Sequence, residues 1–323
     1  MTSIHLLIPY FGKLPPWFGL FLRSCSANSS VKFTLIGDDP SFDHLAPTNF
    51  RRHPMTLSQF SDRAADRLGN KVSLSSTRKV CDFKPMLGAM FPDLLEDAAF
   101  WGYCDIDIVF GNIRRFLTDD LLNSYDVISS GNDFLAGHFS VFRNNELTHR
   151  LFERSKDIDF VLTTDRCLVF DELGPSAIWH FPGFTIGLDG AIDAMTQVVL
   201  TARDTGVLKA HLGLPIVNDP DMPFRQGFSL RWGQNGLIDN KTGAEYCYVH
   251  FQSKKGRFGF RRWLPSATAP LSQFNITQRG FFHAFGPNSM LKTLTCIFHD
   301  EIYRNLKFGH SEPRTTEVAP KDG

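Results

Sequence analysis

Two aspartates, Asp105 and Asp107, stand in the middle of an otherwise apolar run from Phe100 to Asn112. The aromatic and β-branched flanks are typical of a short buried strand, and strand alternation would place both carboxylates on one face. Carboxylates that close repel each other, and burial without a partner is costly for each of them. A hard cation, Mg²⁺ or Mn²⁺, accepts carboxylate oxygens and phosphate oxygens together. The run therefore predicts a metal-binding Asp-x-Asp that faces a diphosphate; the alternative is a pair of solvated aspartates at a strand end.

The composition is that of a globular chain that can bury a substantial core. The 323 residues are 42% hydrophobic and 21% charged, with 34 basic and 34 acidic side chains. This zero net charge gives no electrostatic case for a nucleic-acid partner. Apolar runs fall short of the roughly 18 residues of a membrane-spanning helix, and the N-terminus has no signal-peptide pattern. The six cysteines form no Cys-x-x-Cys pair, which favours free thiols in the cytoplasm.

The first 40 residues indicate the opening of a nucleotide-binding α/β sheet. Residues 4–8 and 31–36 are short apolar runs, and a segment with helical potential, residues 11–24, separates them. Ligands of such sheets bind beyond the carboxyl ends of the strands. Pro9 and Tyr10 are therefore candidates for contact with the base and ribose of a nucleotide.

Further along, residues 84–95 have the apolar spacing of a helix that leads into the Asp-x-Asp run. Asp82 and Lys84 lie at its start and could reach a nucleotide; alternatively Asp82 is an N-cap and Lys84 is solvated. From residue 227 onward the pattern indicates antiparallel strands. We expect a catalytic domain over residues 1–255, a small C-terminal extension over 256–308 that packs on it, and a disordered tail over 309–323.

Several segments together resemble a family of bacterial glycosyltransferase-like proteins with the GT-A fold. The resemblance covers most of residues 3–256 in one order and is distantly similar to glycogenin-type and lipopolysaccharide galactosyltransferase-type enzymes. It rests on the runs CDFKP (81–85), FWGYCDIDIVFG (100–111), GHFSVFRN (137–144), FDE (170–172) and YVHFQ (248–252). It implies an α/β fold, GT-A-like (Rossmann-like), with a mostly parallel central sheet flanked by helices and a small C-terminal appendage.

Carried over to this chain, the resemblance implies a metal site of Asp105, Asp107 and His250. Asp105 would also contact the nucleotide sugar, and Lys254 or Lys255 would contact the diphosphate, with Lys254 the first choice. The implied cofactor is Mn²⁺ or Mg²⁺, and the implied donor is a nucleotide-diphosphate sugar, a UDP-sugar first among them. Without the resemblance, a structural role would be the expectation for His250.

The acidic pair Asp171 and Glu172 follows the central motif by about 65 residues. These residues are the candidates for a catalytic base or for positioning of the acceptor hydroxyl; capping or surface roles are the alternative. The acceptor would be a glycan or a lipid-linked molecule, with peripheral contact at the inner face of the membrane and a role in bacterial surface polysaccharide synthesis. Oligomeric state is not indicated.

Two other functions fit parts of the sequence. The run Asp105-Ile106-Asp107-Ile108-Val109 also matches the start of a haloacid-dehalogenase-type phosphatase, in which Asp105 would be the nucleophile. That motif normally ends the first strand of its domain, whereas here about a hundred residues precede it. The second alternative is a non-catalytic module that binds a nucleotide sugar without transferring it.

Overall fold

The computed structural model describes residues 1–69, 72–131, 134–174, 192–218, 229–233, 235–255, 259, 273–277 and 279–282. The strands of the described residues are β1 (Ile4–Pro9), β2 (Val31–Gly37), β3 (Phe50–Pro54), β4 (Phe100–Cys104), β5 (Ile108–Phe110), β6 (Val127–Ser129), β7 (Phe139–Arg143), β8 (Ala210–His211), β9 (Val217–Asn218), β10 (Ser229–Gly233), β11 (Gly236–Asp239), β12 (Glu245–Tyr246), β13 (Tyr248–His250), β14 (Gln273–Thr277) and β15 (Gly280–Phe282). The α-helices are α1 (Phe18–Ser26), α2 (Leu57–Leu68), α3 (Leu87–Met90), α4 (Ile113–Phe116), α5 (Asp119–Ser124), α6 (Glu146–His149), α7 (Ile158–Thr163) and α8 (Met195–Asp204).

A seven-stranded sheet in the order β3-β2-β1-β4-β7-β6-β8 forms the centre of the fold. The first four strands in this order pair in parallel, β7 is antiparallel to both of its neighbours, and β8 is parallel to β6. Helices cover the sheet, so the predicted class, an α/β fold with a mostly parallel central sheet flanked by helices, is confirmed. Ile4 on β1 is in register with Phe100 on β4, and the carboxyl ends of these strands therefore meet at one edge.

The two faces of this sheet bury two separate apolar clusters. Alternate residues of β1 and β4 point to opposite sides, so Leu7 and Trp101 join the cluster around α2, and Leu6 and Phe100 join the cluster around α1. The buried Phe18 on α1 is one of many aromatic side chains in these layers. Each fully buried Phe contributes roughly 1.5–3 kcal/mol relative to an exposed one. The many Phe side chains thus fill the space between the sheet and the helices.

Two smaller sheets continue the fold. One has five strands in the order β12-β11-β10-β14-β15, with a hairpin between β10 and β11 in the region where antiparallel strands were expected. The other has three strands in the order β5-β13-β9. Strand β14 pairs with β10 along its whole length. Strands from both sides of the boundary expected at residue 255 therefore share one sheet. The tail expected at 309–323 lies outside the described residues.

The helix expected over residues 84–95 is replaced by a 3-10 helix (Lys79–Met86), α3 and a 3-10 turn (Pro92–Leu94). Two prolines explain the difference, because Pro85 and Pro92 have no backbone N–H and restrict the residues before them. Within the part of the chain that the structure describes, none of the helices is long and apolar enough to span a membrane.

Candidate metal centre and cleft

The aspartates Asp105 and Asp107 form the link between two sheets. Strand β4 pairs with β7 up to Cys104, and β5 pairs with β13 from Ile108 onward. The backbone N–H of Asp105 still donates to the carbonyl of His138 at 3.0 Å, and the carbonyl of Asp107 accepts from the N–H of Phe251 at 3.1 Å. The continuous strand expected through this run is therefore wrong: the chain changes sheets at the two acids. Both carboxylates nevertheless face one site.

His250 reaches these aspartates from β13. Its position is set by pairing, opposite Ile108 on β5 and Asn218 on β9. Its Nδ1 lies 3.0 Å from Oδ1 of Asn218, and since an amide oxygen only accepts, Nδ1 carries the proton. The lone pair then sits on Nε2, which is buried without a hydrogen-bond partner, 3.6 Å from Oδ1 of Asp107.

One divalent cation fits this group. One ligand atom from each of Asp105, Asp107 and His250 lies within 4.8 Å of the others. Two carboxylate oxygens and a neutral imidazole suit Mn²⁺ or Mg²⁺, and an outer hydrogen bond that fixes the imidazole tautomer is the usual companion of a histidine ligand. The unpartnered Nε2 is the observation that a metal would explain.

A lysine also contacts Asp107. Nζ of Lys255 donates to Oδ2 of Asp107 at 2.9 Å. Lys254, the first choice from the resemblance, is buried and does not line the cleft, whereas Lys255 does. Of the two lysines, Lys255 is therefore the one that both contacts Asp107 and lines the cleft.

Lys84 joins the metal aspartates to the predicted catalytic acids. Its buried Nζ donates to Oδ1 of Asp105 at 2.6 Å, to Oδ2 of Asp171 at 3.1 Å and to the carbonyl of Gly137 at 2.9 Å. Burial disfavours the ammonium, but Asp105 and Asp171 raise the pKa of Lys84 well above its usual value. All three N–H donors of this cation are used, so it holds the two acids in a defined relation.

Asp171 and Glu172 lie on the other side of Lys84, packed against Gly137. The N–H of Gly137 donates to Oε1 of Glu172 at 2.9 Å, and a Cβ there would come within 2.3 Å of Oδ2 of Asp171. Only glycine permits this approach. Burial raises the pKa of Asp171, and Oδ1 of that residue is buried without a partner. The two acids therefore lie close to the group of Asp105, Asp107 and His250, with Lys84 between Asp105 and Asp171, but they are not part of that group.

Asp82 has a different place from the one expected. It is fully buried, its Oδ2 accepts from Nζ of Lys79 at 2.9 Å, and its two oxygens accept from the N–H groups of Leu168 and Phe170. Between these two donors Val169 has φ 52°, a strained conformation for a β-branched residue. Asp82 thus holds the turn before Asp171 and does not face the cleft.

A cavity of about 980 Å³ opens beside the aspartates, and Pro9 and Tyr10 line it. Its other walls are partly aromatic, with Trp17 and Phe42, and partly basic. The basic side chains that line it are Lys13, Arg78, Lys84 and Lys255. The volume falls within the range of small-molecule sites, and the mixture of aromatic and cationic walls suits a base and a phosphate chain.

Some functional neighbours were not indicated by sequence reasoning. The ring of His138 lies 4.2 Å from that of His250 and its Nδ1 is 2.9 Å from the hydroxyl of Tyr248. Asn218, whose Oδ1 lies 3.0 Å from Nδ1 of His250, is a second such neighbour. The interruption of a strand pattern at Gly137-His138 was a visible signal, but nothing in the sequence around Asn218 connects it to His250, since the contact depends on strand register.

The chain is similar in fold to several solved glycosyltransferase structures. These include the galactosyltransferase LgtC in complex with donor and acceptor sugar analogues (10% identity, 76% of this chain and 86% of that chain, TM-score 0.39). They also include mouse xyloside xylosyltransferase 1 (9% identity, 66% and 79%, TM-score 0.32) and GlyE of Streptococcus pneumoniae TIGR4 (12% identity, 47% and 38%, TM-score 0.28).

No curated protein matches the chain. A family described as a family of unknown function, DUF6625, matches residues 6–284. This match includes the central sheet from residue 6 onward, the three residues of the candidate metal site, and the strands of the two smaller sheets. Because it spans well over half of the sequence, the chain belongs to the DUF6625 family.

Proposed function

We propose that the protein transfers a sugar from a nucleotide-diphosphate sugar, a UDP-sugar first among them, to a hydroxyl of a glycan or lipid-linked acceptor. The observation that carries the proposal is the buried group of Asp105, Asp107 and His250, whose unpartnered Nε2 faces the carboxylates. Asp105 and Asp107 also line a cleft with basic walls at the carboxyl ends of β1 and β4. Ligands of parallel α/β sheets bind at such edges.

Each group has a role in this proposal. Asp105, Asp107 and His250 hold Mn²⁺ or Mg²⁺, which when bound would offset the charge that develops on the diphosphate leaving group. Lys255 lies against Asp107 and is placed to contact the same phosphates. Tyr10, at the end of β1, offers an aromatic face to the base.

Lys84, Asp171 and Glu172 are proposed to act at the acceptor side. Lys84 donates to both Asp105 and Asp171, and it therefore holds Asp171 at a fixed distance from the aspartate of the donor site. Asp171 or Glu172 would accept the proton of the acceptor hydroxyl or position that hydroxyl for attack. Both have a pKa raised by burial, which suits proton transfer nearer neutral pH.

The structure gives less support to a phosphatase. In that reaction Asp105 would attack a phosphate as a free carboxylate, yet its Oδ1 accepts from Lys84 at 2.6 Å. The motif also ends β4 rather than a first strand, and a histidine ligand from β13 has no role there. Cytoplasmic action at the inner face of the membrane, in surface polysaccharide synthesis, rests on the resemblance.

The test is binding of Mn²⁺ and of UDP-, GDP-, CMP- and dTDP-sugars, measured by thermal shift and by titration calorimetry. The first expectation is a response to one donor that depends on Mn²⁺. Asp107→Asn keeps the shape of the side chain but removes its charge, and we expect it to cost roughly 3–5 kcal/mol of Mn²⁺ binding, by analogy with a broken buried pair.

The matched control is Asp62→Asn, at an exposed aspartate of α2, which should bind as the wild-type chain does. Wild-type Mn²⁺ affinity in Asp107→Asn, or labelling of Asp105 by a phosphate analogue, would contradict the proposal. Donor binding without any transfer to glycan acceptors would favour the non-catalytic module.

A further inference from the structure

The candidate metal site is assembled from two different sheets. Asp105 follows β4 of the seven-stranded sheet, and its backbone N–H donates to the carbonyl of His138 at 3.0 Å. His250 lies on β13 of the three-stranded sheet. The side chains of a metal site have to be held within roughly 0.5 Å of their binding positions. Contacts between the two sheets must therefore set how Asp105 and His250 face each other.

The side chain of His138 makes one such contact. His138 directly precedes β7 and is 4% exposed. The centroid of its ring lies 4.2 Å from that of His250, with 37° between the ring planes. At this separation the two rings are in van der Waals contact. The ring of His138 therefore limits how far the plane of the His250 imidazole can rotate.

Two hydroxyl groups hold the ring of His138 in turn. Its Nδ1 lies 2.9 Å from the hydroxyl of Tyr248, which is also hydrogen-bonded to Oγ of Ser130. Tyr248 is on β13, two residues before His250, whereas Ser130 directly follows β6 of the central sheet. All of these side chains are buried, and buried hydrogen bonds are stronger than those in water. The hydroxyl of Tyr248 thus joins β13 to the adjacent ends of β6 and β7.

We propose that His138 is a positioning residue of the candidate metal site. Its carbonyl holds Asp105, and its ring, which Tyr248 orients, keeps the imidazole of His250 in the plane that points Nε2 towards the aspartates. The inference rests on the metal site of the proposed function. It adds to that site a residue outside the three whose ligand atoms lie together.

His138 and Asn218 restrict different movements of the same ring. The hydrogen bond from Nδ1 of His250 to Asn218 decides which nitrogen faces Asp107. The contact with His138 restricts the tilt of the ring plane. Loss of His138 should therefore change the geometry of a bound cation as well as its affinity.

The experiment is titration of the full chain with Mn²⁺ by calorimetry and with Co²⁺ by visible absorption, since the absorption bands of Co²⁺ depend on the geometry of its ligands. His138→Ala removes the ring, and we expect about tenfold weaker Mn²⁺ binding and shifted Co²⁺ bands. Tyr248→Phe removes only the hydroxyl that orients His138. We expect it to shift the Co²⁺ bands in the same direction with a smaller loss of affinity.

His5→Ala is the matched control, because His5 is also 4% exposed and its Nε2 lies 2.8 Å from a hydroxyl, that of Thr34. It should lower stability in urea but keep the wild-type Co²⁺ bands and Mn²⁺ affinity. Unchanged Co²⁺ bands in His138→Ala or in Tyr248→Phe, or the same shift in His5→Ala, would overturn the proposal. Tyr248→Phe decides the matter where His138→Ala does not fold.

The wild-type titration separates this inference from the proposed function. A wild-type chain that binds neither Mn²⁺ nor Co²⁺ would overturn the metal site itself, and the role of His138 with it. Wild-type binding together with unchanged variants would overturn the role of His138 alone.

Discussion

The orientation of one imidazole decides what the candidate metal centre can bind. Oδ1 of Asn218 accepts a hydrogen bond from Nδ1–H of His250, so the lone pair of Nε2 points towards Asp107. Without that partner the ring could rotate or carry its proton on Nε2, and a cation would lose its third ligand. The orientation that would let His250 bind a cation therefore depends on a residue that lies 32 positions earlier in the chain.

At this scale we predict that Asn218→Ala weakens Mn²⁺ binding by about 10–100-fold, the usual effect of removing an outer hydrogen bond from a metal ligand. His250→Gln should weaken it further, because it removes the ligand atom itself. Titration calorimetry with Mn²⁺ measures both effects, and His44→Gln, at an exposed histidine, is the control. Unchanged affinity in Asn218→Ala would show that the Nδ1 contact does not orient the ring.

Between elements, a buried ion pair fixes the 3-10 helix that carries Lys84 against the turn that carries Asp171. Lys79 and Asp82 are both fully buried, and Asp82 also accepts the N–H groups of Leu168 and Phe170. The strained φ of Val169 between those donors persists because the surrounding contacts determine it. The relation of Lys84 to Asp171 thus depends on a residue that does not face the cleft.

We predict that Asp82→Asn lowers the free energy of unfolding by roughly 3–5 kcal/mol, because it leaves the ammonium of Lys79 buried without a counter-charge. The control is Glu146→Gln, which removes the partner of Arg150 in an exposed pair and should cost less than about 1 kcal/mol. Urea unfolding measures both. Equal losses in the two variants would mean that the Lys79–Asp82 pair has no special role in stability.

For the whole molecule, the central sheet buries a histidine whose protonation at low pH destabilises the fold. His5 on β1 is 4% exposed, and its Nε2 lies 2.8 Å from Oγ1 of Thr34. Burial, together with the charges of Arg51 and Lys32, lowers the pKa of His5 to about 4. The unfolded chain takes up a proton near pH 6.5, while the folded chain does not until about pH 4.

Stability should therefore fall as pH drops from 6.5 to about 4, by up to roughly 3 kcal/mol from this residue alone. His5→Gln does not titrate but can still bond to Thr34, so we expect it to remove that part of the pH dependence. Urea unfolding across this range is the measurement, with His44→Gln as the matched control. A variant as acid-sensitive as the wild-type chain would contradict the assignment.

Local patterns in the sequence were enough for the fold class, and they also indicated two of the three residues of the candidate metal site. The apolar runs of β1 and β2 and the hairpin of β10 and β11 depend on side-chain periodicity and turn residues, which act between neighbours in the chain. Asp105 and Asp107 were visible for the same reason, since two acids inside one apolar run need a partner. His250 was indicated only through the family resemblance.

The rest was decided by pairing between distant segments. The break between β4 and β5 exists because each half hydrogen-bonds to a different sheet, and β14 joins the sheet of β10 by pairing across the expected boundary at residue 255. Strand register placed Asn218 beside His250, and the turn after His250 placed Lys255, not Lys254, on Asp107. Asp82 and Lys84 are two residues apart, yet folding pairs Asp82 with Lys79 and Leu168 and pairs Lys84 with Asp105 and Asp171. Such contacts join residues whose separation in the sequence carries no periodic signal, so only the tertiary structure specifies them.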